Sequence, residues 1–190
     1  LNNKKNKINI DDLGFLIGPI LNAGGRLGKS NYATELLSSE NQEFINVKSL
    51  DLIDLNNKRK KIEAVTLENI DLKKIENEND DIIFYYNPNI NEGLLGIIAA
   101  RLKEYFNKPA IVITNSKDLL KSSARSIYNY NIGRAIRNSL QKDIILNGGG
   151  HNMAAGFTLK KENLLIFKKF IFNDFSRNHI SLGSNFEYDA

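Results

Sequence analysis

The spacing of apolar residues changes along the chain, and the change divides it in two. From Asp12 to Gly28 the segment DLGFLIGPILNAGGRLG mixes apolar residues with several glycines and a proline, which predicts loop and short turns packed beneath something larger. Ser30 is placed to cap a short helix through Leu37. Ser39 with Gln42 has capping-box spacing, so a long helix is expected next. Leu50, Ile53, Ile62 and Val65 give that helix a broken apolar stripe through a very polar stretch, Asn56 to Lys61, the pattern of a connecting helix between two lobes. A domain boundary is expected near Asn77 to Asp80.

Beyond that point the two periods alternate. Strands are predicted over Asp81–Tyr86, Ala110–Thr114, Leu119–Ser126 and Gly156–Leu159, and helices over Glu92–Phe106, Asn131–Gln141 and Lys161–Phe175. Ile144 to Leu146 is a short apolar run that ends in glycines. Such alternation predicts an α/β fold, a mixed sheet flanked by helices.

Composition narrows the class. The 190 residues are 42% hydrophobic and 25% charged, with ten Phe and seven Tyr, as in a globular protein and not a disordered tail. No Cys is present, which excludes disulfides and thiolate metal sites and fits a reducing cytoplasm. The longest apolar runs, such as Leu94 to Ala100, are far too short to span a bilayer, so no membrane partner is expected. The net charge of +4 suits an anionic partner. The chain starts at Leu1 without an initiator Met or a signal core, and an apolar/polar alternation begins only at Phe186 to Asp189; both ends are expected to lie within a longer protein.

Three segments carry candidate chemistry. In Gly24-Gly25-Arg26-Leu27-Gly28, glycines flank one guanidinium, whose planar fork suits a phosphate; a tight turn with a surface Arg fits the same letters. In Lys121 to Ser126, strand alternation puts Lys121, Ser123 and Arg125 on one face, two cations around a hydroxyl. A charged edge strand protected from aggregation is the alternative. In Gly148-Gly149-Gly150-His151, three glycines cost backbone entropy, which points to positive φ or to room for a ligand beside the main chain, with His151 as donor or stacking partner. Arg134 and Arg137, three apart on a helix, share a face that could track a phosphate backbone or simply be solvated. Tyr128 and Tyr130 are candidates for base stacking or for packing, and His179 is expected to be solvated. No cluster of Asp, Glu and His with the look of a two-metal hydrolytic site is found: the pairs Asp11/Asp12 and Asp80/Asp81 have no neighbouring His.

Taken in order, these segments resemble the RecJ branch of the DHH phosphoesterases. Gly18 to Gly28 is similar to GPxxNAxGRLG, which closes the DHH domain in that family. Glu92 to Leu102 resembles the EGVIGIVASRL helix that opens the accessory DHHA1 domain, and SSARSI (Ser122 to Ile127) and GGGHNMAAGFTL (Gly148 to Leu159) resemble its two ligand-facing motifs. One departure stands out: where the family has Trp-His before a Gly, this chain has Ile90 and Asn91 before Glu92 and Gly93.

The resemblance implies a segmentation: 1–40 as the end of a DHH domain, 41–79 as the connecting helix, 80–178 as the DHHA1 domain, and 179–190 as a tail or the start of an OB-fold domain. It implies a parent enzyme that degrades single-stranded DNA from the 5′ end in repair and recombination, using Mn²⁺ or Mg²⁺ held by ligands outside this chain. The fragment itself is then expected to hold no metal and to contain no catalytic residue, with His151 at most auxiliary. On this resemblance Arg26, Ser123 and Arg125 contact the 5′-phosphate or backbone, and Gly148, Gly149, Gly150 and His151 line the cleft. The implied partners are single-stranded DNA, the missing DHH domain and an OB-fold domain. Two alternatives stay open: a DHH oligoribonuclease or cyclic-dinucleotide phosphodiesterase, and a non-enzymatic nucleic-acid-binding module.

Overall fold

In the computed structural model, which describes residues 8–179, the backbone parts into two units between Asn69 and Ile70. The first is helical throughout. A π-helical segment, Asp12–Ile17, runs into α1 (Gly18–Arg26), followed by α2 (Tyr32–Ser38) and α3 (Gln42–Glu68). The loop expected over Asp12 to Gly28 is therefore corrected to helix. Pro19 sits in the first turn of α1, where its missing N–H costs no hydrogen bond. Gly24 is a packing residue, since a Cβ there would lie 2.5 Å from the Lys29 carbonyl oxygen. Among the glycines from Gly14 to Gly28, Gly28 alone has positive φ, at 80°, and it stops the helix.

Two caps move by one or two residues. Asn31, not Ser30, occupies the N-cap of α2, and Asn41 caps α3, its Oδ1 accepting from Phe44 N at 3.0 Å. Ser39 supports that cap instead, accepting from Asn41 N. The 27 residues of α3 span about 40 Å at 1.5 Å per residue. Its buried face is not the expected stripe: Leu50, Ile62 and Val65 are exposed, and Leu52, Asn56, Arg59 and Glu63, which share one face at helical spacing, are buried.

The second unit is α/β. After α4 (Leu72–Glu78) come β1 (Ile83–Tyr86), a 3₁₀ turn (Glu92–Leu94) leading into α5 (Leu95–Phe106), β2 (Ala110–Ser116) and β3 (Leu119–Arg125). They are followed by α6 (Ile132–Gln141), β4 (Asn147–His151), β5 (Ala154–Lys160) and, after a 3₁₀ turn, α7 (Leu164–Asn178). The five strands are ordered β1-β2-β3-β5-β4, with β1 parallel to β2 and every other pair antiparallel, so the sheet is mixed as expected. Among the described residues no helix is long and apolar enough to cross a membrane. The alternation at Phe186 to Asp189 lies outside the described residues.

Alternation along the strands sorts the residues into two faces. Ile111, Ile113, Leu120, Ala124, Phe157 and Leu159 fill one, against Ile136 of α6 and Phe167 and Ile171 of α7. Phe167 meets Phe157 at 4.5 Å and Phe84 at 6.2 Å between ring centroids, which locks α7 over the sheet. On the other face α5 packs across β2 and β3 with Leu95, Ile98, Ala99 and Leu102 buried.

The glycine run is a strand and not a loop, and none of its residues has positive φ. A Cβ on Gly148 would lie 2.7 Å from Phe157 Cβ, and one on Gly150 would lie 2.3 Å from the Ala154 carbonyl oxygen and 2.5 Å from Ala155 Cα. A Cβ on Gly149 would meet nothing within 4 Å. Gly150→Ala is therefore expected to destabilise the chain by about 3 kcal/mol or more, because backbone must move, whereas Gly149→Ala stays within about 0.5 kcal/mol of the parent. Urea unfolding followed by circular dichroism checks both.

Candidate nucleic-acid interface

The face of the sheet that α5 covers over β2 and β3 continues onto β5 and β4, and there it is open. Register defines three cross-strand rows on it: Lys121–Thr158–Asn147, Ser123–Gly156–Gly149, and Arg125–Ala154–His151. Asn147, Gly149, His151 and Gly156 are exposed. Gly149 and Gly156 are direct partners, so the middle of this face is bare main chain beside Ser123. Arg125 and His151 end one row, separated by two strand spacings, about 10 Å. Ser123, Arg125, Gly149 and His151 thus meet on one surface. Gly148 and Gly150 serve the packing behind it.

The Arg125 guanidinium is seated and not loose. Its Nη1 donates to the Ala124 carbonyl at 3.0 Å and lies 3.4 Å from Ser123 Oγ. Gly96, in the first turn of α5, makes the seat: a Cβ there would stand 2.8 Å from Arg125 Nη2 and 3.3 Å from Ser123 Oγ. Gly96 is a site residue that periodicity alone does not single out. Lys121 is engaged as well, its Nζ pairing with Glu92 Oε2 at 2.7 Å. The hydrogen bond from Lys121, with a second from Ser116, holds the Glu92 carboxyl below its usual range.

His151 Nδ1 accepts from Met153 N at 3.3 Å, which orients the ring and directs Nε2 away from its own turn. Beneath it, α6 touches β4 through backbone, since a Cβ on Gly133 would lie 2.6 Å from the His151 carbonyl oxygen. Arg137 braces the same strand, Nη1 donating to the Gly150 carbonyl at 3.0 Å. Arg134 is engaged differently from Arg137, its Nε buried with no acceptor among the described residues. Tyr130 is a core anchor whose hydroxyl donates to Asp174 Oδ2 at 3.2 Å, and burial, then Asp174, pushes its phenol far above the usual range. Tyr128 is exposed. His179 is not simply solvated: it stacks on Phe175 at 4.4 Å and hydrogen-bonds the Asn129 amide at 2.7 Å.

Arg26 belongs to the first unit, in the last turn of α1, half-buried beside a polar cluster on α3. There Arg59 Nη1 pairs with Glu63 Oε2 at 2.7 Å and its Nε donates to Asn56 Oδ1 at 3.1 Å. Burial, and then Arg59, lower the Arg26 pKa from its ordinary value; Glu63 opposes them. Two guanidinium groups against one carboxylate leave the cluster positive. Asn56, Arg59 and Glu63 fall within the helix expected to connect two lobes, and their spacing of three and four was the available signal.

Among the described residues no three Asp, Glu or His side chains gather as metal ligands. Asp12 accepts from Asn9 N, and Asp80 pairs with Lys168. The described residues offer no ligand set that fits Mn²⁺ or Mg²⁺.

The family model for the DHHA1 domain matches residues 79–176. The single-stranded-DNA-specific exonuclease RecJ of Haemophilus influenzae is 38% identical over 170 residues, which cover 85% of this chain and 29% of that protein. RecJ of Escherichia coli is 35% identical over 176 residues, 88% of this chain and 30% of its own length. The crystal structure of RecJ in complex with Mn²⁺ from Thermus thermophilus superposes with a TM-score of 0.76 at 26% identity, over 87% of this chain and 24% of that one. The chain thus spans about three tenths of the length of the curated relatives it matches.

The buried pair on α3 yields a stability test. Glu63→Ala leaves the Arg59 charge buried without its carboxylate and is expected to cost about 3 kcal/mol. Lys58→Ala removes an exposed pair with Asp54 and is expected to leave the urea midpoint where it is.

Proposed function

We propose that this chain, which belongs to the DHHA1 domain family as a RecJ-like segment, is the part of an exonuclease that grips the single-stranded DNA substrate. The observation that carries this reading is the row structure of the open face: a guanidinium, a hydroxyl and an imidazole border a floor made of Gly149 and Gly156. A floor without side chains lets an unpaired strand approach the main chain, and nothing on it selects a base. Arg125 and Ser123 supply donors for phosphate oxygens, and phosphate contacts fix register without reading sequence. We assign the 5′-phosphate to Arg125 and Ser123, and place His151, with Gly148, Gly149 and Gly150 behind and beside it, along the path of the strand. Arg26, on the first unit, is assigned a phosphate of the same kind of ligand, with Arg59 adding positive charge behind it.

The parent enzyme, on this reading, is a cytoplasmic 5′-to-3′ exodeoxyribonuclease of DNA repair and recombination whose Mn²⁺ or Mg²⁺ is held by residues outside this chain. This segment positions; the metal half supplies the activated water. Alone it binds single-stranded DNA and does not cleave it. The relatives are exonucleases specific for single-stranded DNA, which supports the choice of ligand.

A 5′-phosphorylated oligonucleotide is expected to bind the chain about tenfold more tightly than its unphosphorylated twin, the size of one charge-assisted contact. Arg125→Ala should erase that difference and reduce the slope of log affinity against log salt by about 0.7, the loss of one neutralised phosphate. Fluorescence anisotropy across a salt series measures both; equal affinity of the parent for the two oligonucleotides removes the anchor.

A further inference from the structure

Next to the Arg125–Ala154–His151 row the second unit has a cleft that the backbone grip does not use. It is about 360 Å³ in volume and is bordered by Tyr128, Asn131, Arg134, Asn152 and Asn178, with Tyr130 closing its depth. Its position follows from chain connectivity. Asn152 is the residue after His151, and Tyr128 follows Arg125 by three, so both ends of that row lead into the cleft. The walls are tied together: Asn131 Nδ2 donates to Asn152 Oδ1 at 2.7 Å, Ile132 N to the Asn152 carbonyl at 3.2 Å, and Ser126 N to the Met153 carbonyl at 2.9 Å. The cleft is built into the fold.

Its chemistry is two-sided, with one guanidinium, Arg134, beside asparagine amides that can donate and accept. Among the described residues, Arg134 Nε is buried without an acceptor, the Asn152 amide nitrogen has no acceptor, and Asn178 Oδ1 has no donor. A buried donor left unmade is costly, so an incoming carbonyl oxygen is favoured there. A phosphate is disfavoured by Asn178 Oδ1, an acceptor on the cleft's border; behind the lining residues, buried Asp174 accepts from Tyr130 Oη at 3.2 Å and from Asn178 Nδ2 at 3.2 Å. A nucleobase has donors and acceptors on one edge and a π-face for a ring. Tyr128, 87% exposed at the rim, offers that ring.

We infer that this cleft takes one nucleobase of the bound strand, stacked on Tyr128, with its edge toward Arg134, Asn152 and Asn178. The inference rests on the open face being the backbone grip, and it adds a base contact to a surface whose floor has none. One base is thereby turned out of line with its neighbours at the end where Arg125 holds the phosphate. The grip becomes directional, because the two ends of the row then differ in what they hold.

The test uses the 190-residue chain, labelled 5′-phosphorylated oligothymidine, and a series of the same oligonucleotide with a single abasic site moved along it. Tyr128 is exposed, so Tyr128→Ala leaves the fold intact. It is expected to weaken binding of the intact oligonucleotide about tenfold, the loss of one stacked base, while Tyr128→Phe restores it. At one abasic position near the 5′ end the parent and Tyr128→Ala are expected to bind equally. If Tyr128→Ala binds the intact strand like the parent while Arg125→Ala does not, the cleft holds no base and only this inference falls. It falls in the same way if Tyr128→Ala weakens every abasic oligonucleotide equally, since the ring then touches backbone. A parent that binds none of the oligonucleotides overturns the open-face reading and this inference together.

Discussion

The open face depends on a contact in which backbone meets backbone. β4 lies so close to β5 and to the first turn of α6 that Gly148, Gly150 and Gly133 have no space for a Cβ. Any side chain at those positions would lift β4 off the sheet. Because β4 is held flat, His151 falls in the same row as Arg125, and Gly149 pairs with Gly156 on the side where there is room. The three glycines of β4 therefore divide the work: Gly148 and Gly150 allow the approach from behind, and Gly149 leaves the front bare. Arg137 and the Asn131–Asn152 hydrogen bond add fixed points to the same junction.

Charge is placed as selectively as the glycines are. Of the three polar residues that alternate on the outer face of β3, Lys121 is taken by Glu92 and Arg125 is seated over Gly96 with Ser123 at its side. The exposed Lys121–Glu92 pair contributes little to stability; it places a carboxylate against the Lys121 ammonium, while the guanidinium is held beside Ser123. In the first unit the logic differs. Arg59 and Glu63 are buried together, so each needs the other, and their mutual contact sets the electrostatic environment in which Arg26 is held.

Under the proposed function, a DHHA1 segment of the RecJ kind would carry the positioning part of an exonuclease. The described residues contain donors for phosphate, a floor for main-chain approach and no metal-ligand cluster. On that proposal, a donor set fixed on a sheet and not on a loop would set the orientation of a bound strand in advance.

The pattern of residues in one dimension was enough for the alternation of strands and helices after Asp80, for the mixed sheet, and for naming Ser123, Arg125, the glycine run and His151 together. Strand periodicity is local, and so it put Lys121, Ser123 and Arg125 on one face without reference to any partner. It could not show that Gly148 to Gly150 is a strand, because glycine has no side chain to carry a period; only pairing with β5 decides it. It misplaced the buried side of α3, since an Arg–Glu pair is hydrophilic by composition and buried only when a neighbouring helix covers it. Tertiary structure alone set the Gly96 seat, the loss of Lys121 to Glu92, and the cleft at Tyr128. Each joins residues far apart in the chain, or depends on a register that no local spacing encodes.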